Sequence, residues 1–241
     1  MFARKSSGSG HLGEGHHRNV ARGGYRAAVF GVSDGLVSNV ALILGVAGAS
    51  SGQELVRVAG IAGLIAGAVS MAAGEYISMQ AQRELLEREL DMERREHAHN
   101  PEHEVEELAE IYESRGVDQE MAREMASNIM ADPEKALEVH AREEMGIDPN
   151  ELGNPMFAAT TSFFSFALGA VLPLLPWFFG GGNGAIVGSI ILGVVGAVMV
   201  GSALALATSR SILRGSFRQV AIAAAAAAVT FGIGSAVGVG I

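Results

Sequence analysis

The 241-residue chain has no cysteine. Disulfides, thiolate metal sites and cysteine nucleophiles are therefore excluded, and zinc-finger and iron–sulfur readings with them. Basic charge is scarce. The chain carries 17 Lys and Arg against 26 Asp and Glu, a net charge of −9. No Lys/Arg-rich face is available to neutralise phosphates, so nucleic acid is excluded as a partner. Acidic charge almost vanishes outside one block, from about Glu84 to Glu151; the only acids beyond it are Glu14, Asp34, Glu54 and Glu75. Residues 1–24 are rich in Gly, Ser, His and Arg and lack the apolar run of a signal peptide. They read as a flexible tail, in which the pair His16-His17 is incidental.

The block itself holds 22 acids and four of the seven histidines (His97, His99, His103 and His140), with only seven Lys and Arg. So acidic a segment repels itself and needs cations or good solvation. Carboxylates with a few imidazoles suit divalent Mn, Fe and similar ions. A metal-collecting domain is one reading; a solvated, charged helical linker is the other.

On either side the chain reads as membrane, where a helical span needs roughly 20 apolar residues. The first span runs from about Tyr25 to Ala49 and the second from about Val58 to Met79, with a short link that makes them antiparallel neighbours. Nothing stops the second helix, because QAQRELLERELDMERREHA continues with good helix formers. One long helix is expected to leave the membrane and enter the block until Pro101 breaks it. Three short helices follow: PEHEVEELAEIYES closed by Gly116, DQEMAREMASNIM, and DPEKALEVHAREEM closed by Gly146. Met121, Met125 and Met130 are expected in their core, beside Val105, Leu108, Ile111, Tyr112, Ile129, Leu137 and Val139. The third span is FAATTSFFSFALGAVLPLLPWFF, with Trp177 near an interface. The fourth starts at Ala185 after GGGNG; the fifth starts at Gln219 after the polar turn SRSILRGSFR. Frequent Gly and Ala allow close helix packing in lipid.

The fold class expected is thus an all-α membrane protein. It has five transmembrane helices and a cytosolic helical metal-binding domain inserted between helices 2 and 3. The divisions are 1–24, 25–82, 83–154 and 155–241. Arg18, Arg22 and Arg26 before the first span, and Arg210, Arg214 and Arg218 between the fourth and fifth, put those ends and the block in the cytoplasm. The C-terminus is then outside. A bacterial plasma membrane is the expected location.

Asp34 stands out, since a carboxylate inside a span is a functional-site hypothesis by default. The alternative is a cap at a helix break by Gly31 and Gly35, or a bond to Ser38. Met71 offers a thioether in the second span, and Glu75 follows one turn on as an entrance ligand or proton acceptor. In the block, Glu93 and Glu96 share one helix face, Glu104 and Glu107 another, and His140 lies one turn before Glu144. A ferritin-like di-iron bundle is disfavoured, because Glu96-x-x-His99 is the one clear match to its Glu-x-x-His motif.

Three features together resemble the vacuolar iron transporter family: GVSDGLVSNVALILG at 31–45, AGIAGLIAGAVSMAAGEYIS at 59–78, and the charged insert that follows. The resemblance runs from about Arg18 to the C-terminus. It implies a five-helix homodimer that moves Fe(II), often Mn(II), out of the cytosol in exchange for protons, with no prosthetic group. It also implies Asp34 and Met71 in the transport pathway and Glu93, Glu96, Glu104, Glu107 and Glu144 as metal ligands. Three positions depart. Gly63 stands where plant members have Glu, and His140 and Ala141 stand where the plant domain has two Met ligands. Imidazole for thioether hardens the site and makes its occupancy more pH-sensitive, shifting preference towards Mn, Zn or Co. A membrane-anchored metal buffer or sensor is the rival function.

Overall fold

In a computed structural model, the description covers residues 23–49, 52–150 and 152–238, with side chains from residue 28 onward. The tail with His16, His17, Arg18 and Arg22, the Arg26 side chain and residues 239–241 lie outside the described residues. Nine helices occur among the described residues, and no strand: α1 (Gly23–Ala49), α2 (Gln53–His99), α3 (Pro101–Ser114), α4 (Gln119–Met130), α5 (Pro133–Glu143), α6 (Pro155–Leu174), α7 (Pro176–Phe179), α8 (Gly182–Ala207) and α9 (Ile212–Gly238). Five of them, α1, α2, α6, α8 and α9, are long and apolar enough to cross a membrane.

The helix α1 is the hub. It packs against α6, α9, α2 and α8. Its Leu36 and Ile43 are wholly buried. Without a hydrophobic drive between helices in lipid, backbone proximity and interhelical hydrogen bonds hold such spans together. Both devices occur here. A Cβ at Gly35 would overlap the Phe166 carbonyl, and one at Gly169 the Val32 carbonyl, so α1 and α6 touch backbone to backbone. Asn39 donates to the Ala170 carbonyl (2.6 Å), Gln219 of α9 to Ser33 (2.6 Å), and Thr230 of α9 to the Ala41 carbonyl (2.6 Å).

The chain has no Gly or Pro from Glu75 to His99, and α2 runs unbroken for 47 residues. At 1.5 Å per residue that is about 70 Å, much more than a bilayer needs. Asn100 and Pro101 end it, and α3 starts at once with proline in its first turn. Asp118 caps α4 and Asp132 caps α5 by accepting backbone N–H bonds. The small domain rests on alanines. Leu108, Ala109, Ala122 and Ala126 form its centre, and Leu90, Leu137 and Ala141 fasten α5 to α2.

Several expectations need correction. Met121 and Met125 are exposed, because Ala122 and Ala126 take the inward face of α4. Trp177 lies at the end of its span but is wholly buried. Its indole donates to Ser189 (2.9 Å), which donates to the Pro173 carbonyl where α6 ends (2.6 Å). It therefore acts as an internal peg. The supposed polar turn is mostly helix, since α9 starts at Ile212 and only 208–211 stay outside helices. Gly31 and Gly35 mark close packing and not a helix break, because α1 is continuous through both.

Candidate metal centre and intramembrane cleft

Three helices and a sharp turn build the first site. Glu93 and His97 are one turn apart on the last stretch of α2, so they share a face. The turn at Asn100, with its carbonyl accepting from His103 (3.0 Å) and Glu104 (3.2 Å), folds α3 back and returns Glu104 to that face. The helix α5 brings His140 from the opposite side. Ligand atoms of Glu93, His97, Glu104 and His140 all lie within 4.8 Å of one another.

Glu93 is the pivot. Its Oε1 lies 2.7 Å from His140 Nδ1 and 2.9 Å from His97 Nε2. The two ring nitrogens are 2.7 Å apart. Glu104 Oε2 lies 3.4 Å from His140 Nδ1 and 3.8 Å from His97 Nε2. Glu93 is 5% exposed, Glu104 3% and His140 0%, a degree of burial that charged groups tolerate only when paired.

The titration shifts follow from this geometry. Hydrogen bonds from His140 and His97 outweigh burial and hold Glu93 down at about 2. Burial and the charge of Glu93 push Glu104 up. Burial alone would lower His140, but its hydrogen bond to Glu93 and the charges of Glu93, Glu104 and Glu144 outweigh it, and the imidazole stands above its ordinary value. The site thus holds more negative charge than its own groups neutralise. Two imidazoles and two carboxylates are a donor set for a divalent transition metal.

Of the predicted ligands, Glu93, Glu104 and His140 come together. Burial and the charges of Glu93 and Glu107 push Glu144 up, and Glu107 likewise contributes to the rise at Glu104, so Glu107 and Glu144 flank the cluster. Glu96 is exposed on another face of α2, as is His99, whose ring bonds the Arg95 carbonyl (2.6 Å). His97 is the member of this cluster that sequence reasoning missed. Its signal was the spacing Glu93-x-x-x-His97, which shares a helix face as well as Glu93-x-x-Glu96 does.

The second site is a cleft of about 300 Å³ between α1 and α2, closed at the back by Phe166. Asp34, Ser38, Asn39, Ser70 and Met71 supply its polar and sulfur atoms. Asp34 and Met71 therefore meet in one cavity among the spans. Ser38 bonds the backbone carbonyl of Asp34 (2.5 Å) and not its carboxylate, which decides one of the two alternatives raised by the sequence. Glu75 is half-buried on α2, outside the lining of this cleft.

Comparison with known proteins gives the family of the chain. A match to the VIT family covers residues 25–235. The chain is 38% identical over 235 residues to a vacuolar iron transporter of Acanthamoeba castellanii, covering 92% of this chain and 82% of that one. It is 30% identical over 213 residues to vacuolar iron transporter 1 of Eucalyptus grandis (88% and 86% covered), and 30% over 207 residues to vacuolar iron transporter 1 of Arabidopsis thaliana (86% and 83%). These relatives are transporters and not enzymes. With five helices fit to cross a bilayer and a match spanning all of them, this integral membrane protein belongs to the VIT family.

Proposed function

We propose that the protein is a divalent-metal/proton antiporter that exports Fe(II), and also Mn(II) or a similar ion, from the cytosol. The observation that carries this is the meeting of Asp34 and Met71 in one cleft among the spans. A buffer or sensor has no use for a carboxylate and a thioether at that depth. The relatives' names support iron as cargo.

In this reading the acidic domain, on the cytosolic side with the N-terminus, gathers ions. Its carboxylates raise their local concentration, and the cluster of Glu93, His97, Glu104 and His140 holds them, flanked by Glu107 and Glu144. The ion then enters the cleft, with Glu75 near the cytosolic edge as entrance ligand. Protonation of Asp34 or Glu75 from outside releases the metal and loads the counter-ion, because an intramembrane carboxylate must be neutralised when the metal leaves. Asp34 is exposed on the single chain. That exposure is costly against lipid, and it supports a homodimer in which a second copy covers the cleft.

The test is uptake of Fe(II), Mn(II), Zn(II) and Co(II) into sealed proteoliposomes carrying an internal pH dye. Metal flux with an opposing proton signal, absent in Asp34→Ala, is expected. Tight binding without flux for any ion would overturn the proposal in favour of a membrane-anchored buffer.

A further inference from the structure

We propose that the side-chain oxygen of Asn39 is an ion ligand of the cleft, alongside Asp34 and Met71. Asn39 is 2% exposed and lines the cavity between α1 and α2. Its Nδ2 donates to the Ala170 carbonyl (2.6 Å). That bond fixes the amide's orientation, because the flipped amide would set oxygen against oxygen. Oδ1 is thereby aimed away from α6. It is buried and has no hydrogen-bond partner among the described residues. A buried acceptor without a partner is unfavourable unless an ion or a water completes it.

The opposite wall shows what the oxygen faces. A Cβ at Gly63 would lie 3.1 Å from Asn39 Oδ1 and would overlap the Leu42 side chain. Gly63 presents no side chain to that oxygen, and Asn39 supplies it from α1, across the cleft from the Ser70 hydroxyl and Met71 thioether of α2. The donor set becomes one carboxylate, one neutral oxygen and one thioether. The two oxygens favour harder ions, and the sulfur selects against Mg(II) and Ca(II). A neutral ligand also leaves Asp34 as the only formal charge among the described residues that line the cleft, so one proton suffices to discharge it. This inference deepens the transport reading and rests on it for the place of the ion.

The test compares wild type with Asn39→Leu, which keeps the size and removes the oxygen, and Asn39→Asp, which keeps an oxygen. Uptake of Mn(II) and Co(II) is measured in proteoliposomes. Equilibrium binding of both ions is measured on the full chain carrying Glu93→Gln and Glu104→Gln, so that the cleft dominates the signal. Asn39→Leu is expected to raise half-saturation by about tenfold, roughly the loss of one polar contact to a charged group. The rise should be larger for Mn(II), the harder ion, than for Co(II). Asn39→Asp should restore binding and make it steeper in pH. A merely structural amide would lower the melting temperature of Asn39→Leu and leave half-saturation for both ions as in wild type, which would overturn the proposal. Should Asn39→Leu fail to fold, the pH profile of Asn39→Asp decides: a profile identical to wild type overturns it. Wild type that binds in the cleft without flux would sink the transport reading alone, with Asn39 still judged by binding.

Discussion

Two imidazoles hold one carboxylate at Glu93, and this trio sets how the acidic domain responds to pH. In the metal-free protein Glu93 is depressed to about 2 from 4.5. Its contribution to stability is present above about 4.5 and is lost as pH falls towards 2. His140 is raised above 6.5. Its contribution is full below about 6.5 and is lost as pH rises through the higher folded value. Glu104 is raised above 4.5 and therefore destabilises once it ionises. With a chelator present, domain stability should peak between about 4.5 and 6.5 and fall towards alkaline pH. Saturating Mn(II) should reverse the alkaline fall, because the ion replaces the His140 proton and neutralises Glu104. Thermal melts across pH, with and without Mn(II), check this. At the same scale, His97→Ala should weaken Mn(II) binding by at least the roughly 10- to 100-fold that loss of a supporting partner costs a metal site. His99→Ala should leave binding unchanged, since His99 is exposed and bonded to Arg95. Isothermal titration of the two variants separates them.

Among the elements, the α1–α6 pair is the most tightly specified. Gly35 faces the Phe166 backbone and Gly169 the backbone of Val32 and Leu36, with no room for a Cβ at either. Gly35→Leu must part the helices, and overpacking of a tight contact costs about 1–3 kcal/mol. The shift would also move Asp34 and Asn39, the neighbours of Gly35 on α1. The expected outcome is a lower melting temperature in detergent together with lost uptake. Gly74→Ala is the control, because a Cβ there meets nothing within 4 Å. The α2 helix is the second such element. It carries Met71 in its apolar half and Glu93 and His97 in its charged half, with no hinge between them. Ala81→Pro would kink it at a cost of about 3 kcal/mol. Metal binding by the cluster should survive, since its ligands lie more than two turns away, while uptake should fall.

For the whole molecule the proposed reading sets an orientation, and the absence of native cysteine makes it directly measurable. Single cysteines at Glu124 in the acidic domain and Ser211 before α9 should react with an impermeant maleimide from the cytosolic side. One at Asn183, where α8 starts, should react only from the other side. Labelling of all three from one side would refute the arrangement. Covalent dimer capture by the exposed faces of α2 tests the second copy in the same preparations.

The sequence by itself determined the elements. Hydrophobic length marked five spans, an unbroken run of helix formers carried α2 past its apolar stretch, and Pro101 stopped it at the expected residue. Such signals are local, so a linear reading finds them. Asp34 and Met71 were also legible, because polar and sulfur groups are conspicuous in apolar spans. The tertiary structure alone decided which groups face one another. It chose His97 over Glu96, since only the fold-back at Asn100 determines which face of α2 meets α3 and α5. It turned Met121 and Met125 outward, because alanines allow the closer helix approach. It also set Asn39 against Gly63, two residues on different helices whose pairing depends on how α1 is held by α6. Helix formation is written in neighbouring residues, whereas the donor set of a site is written in the angles at which the helices cross.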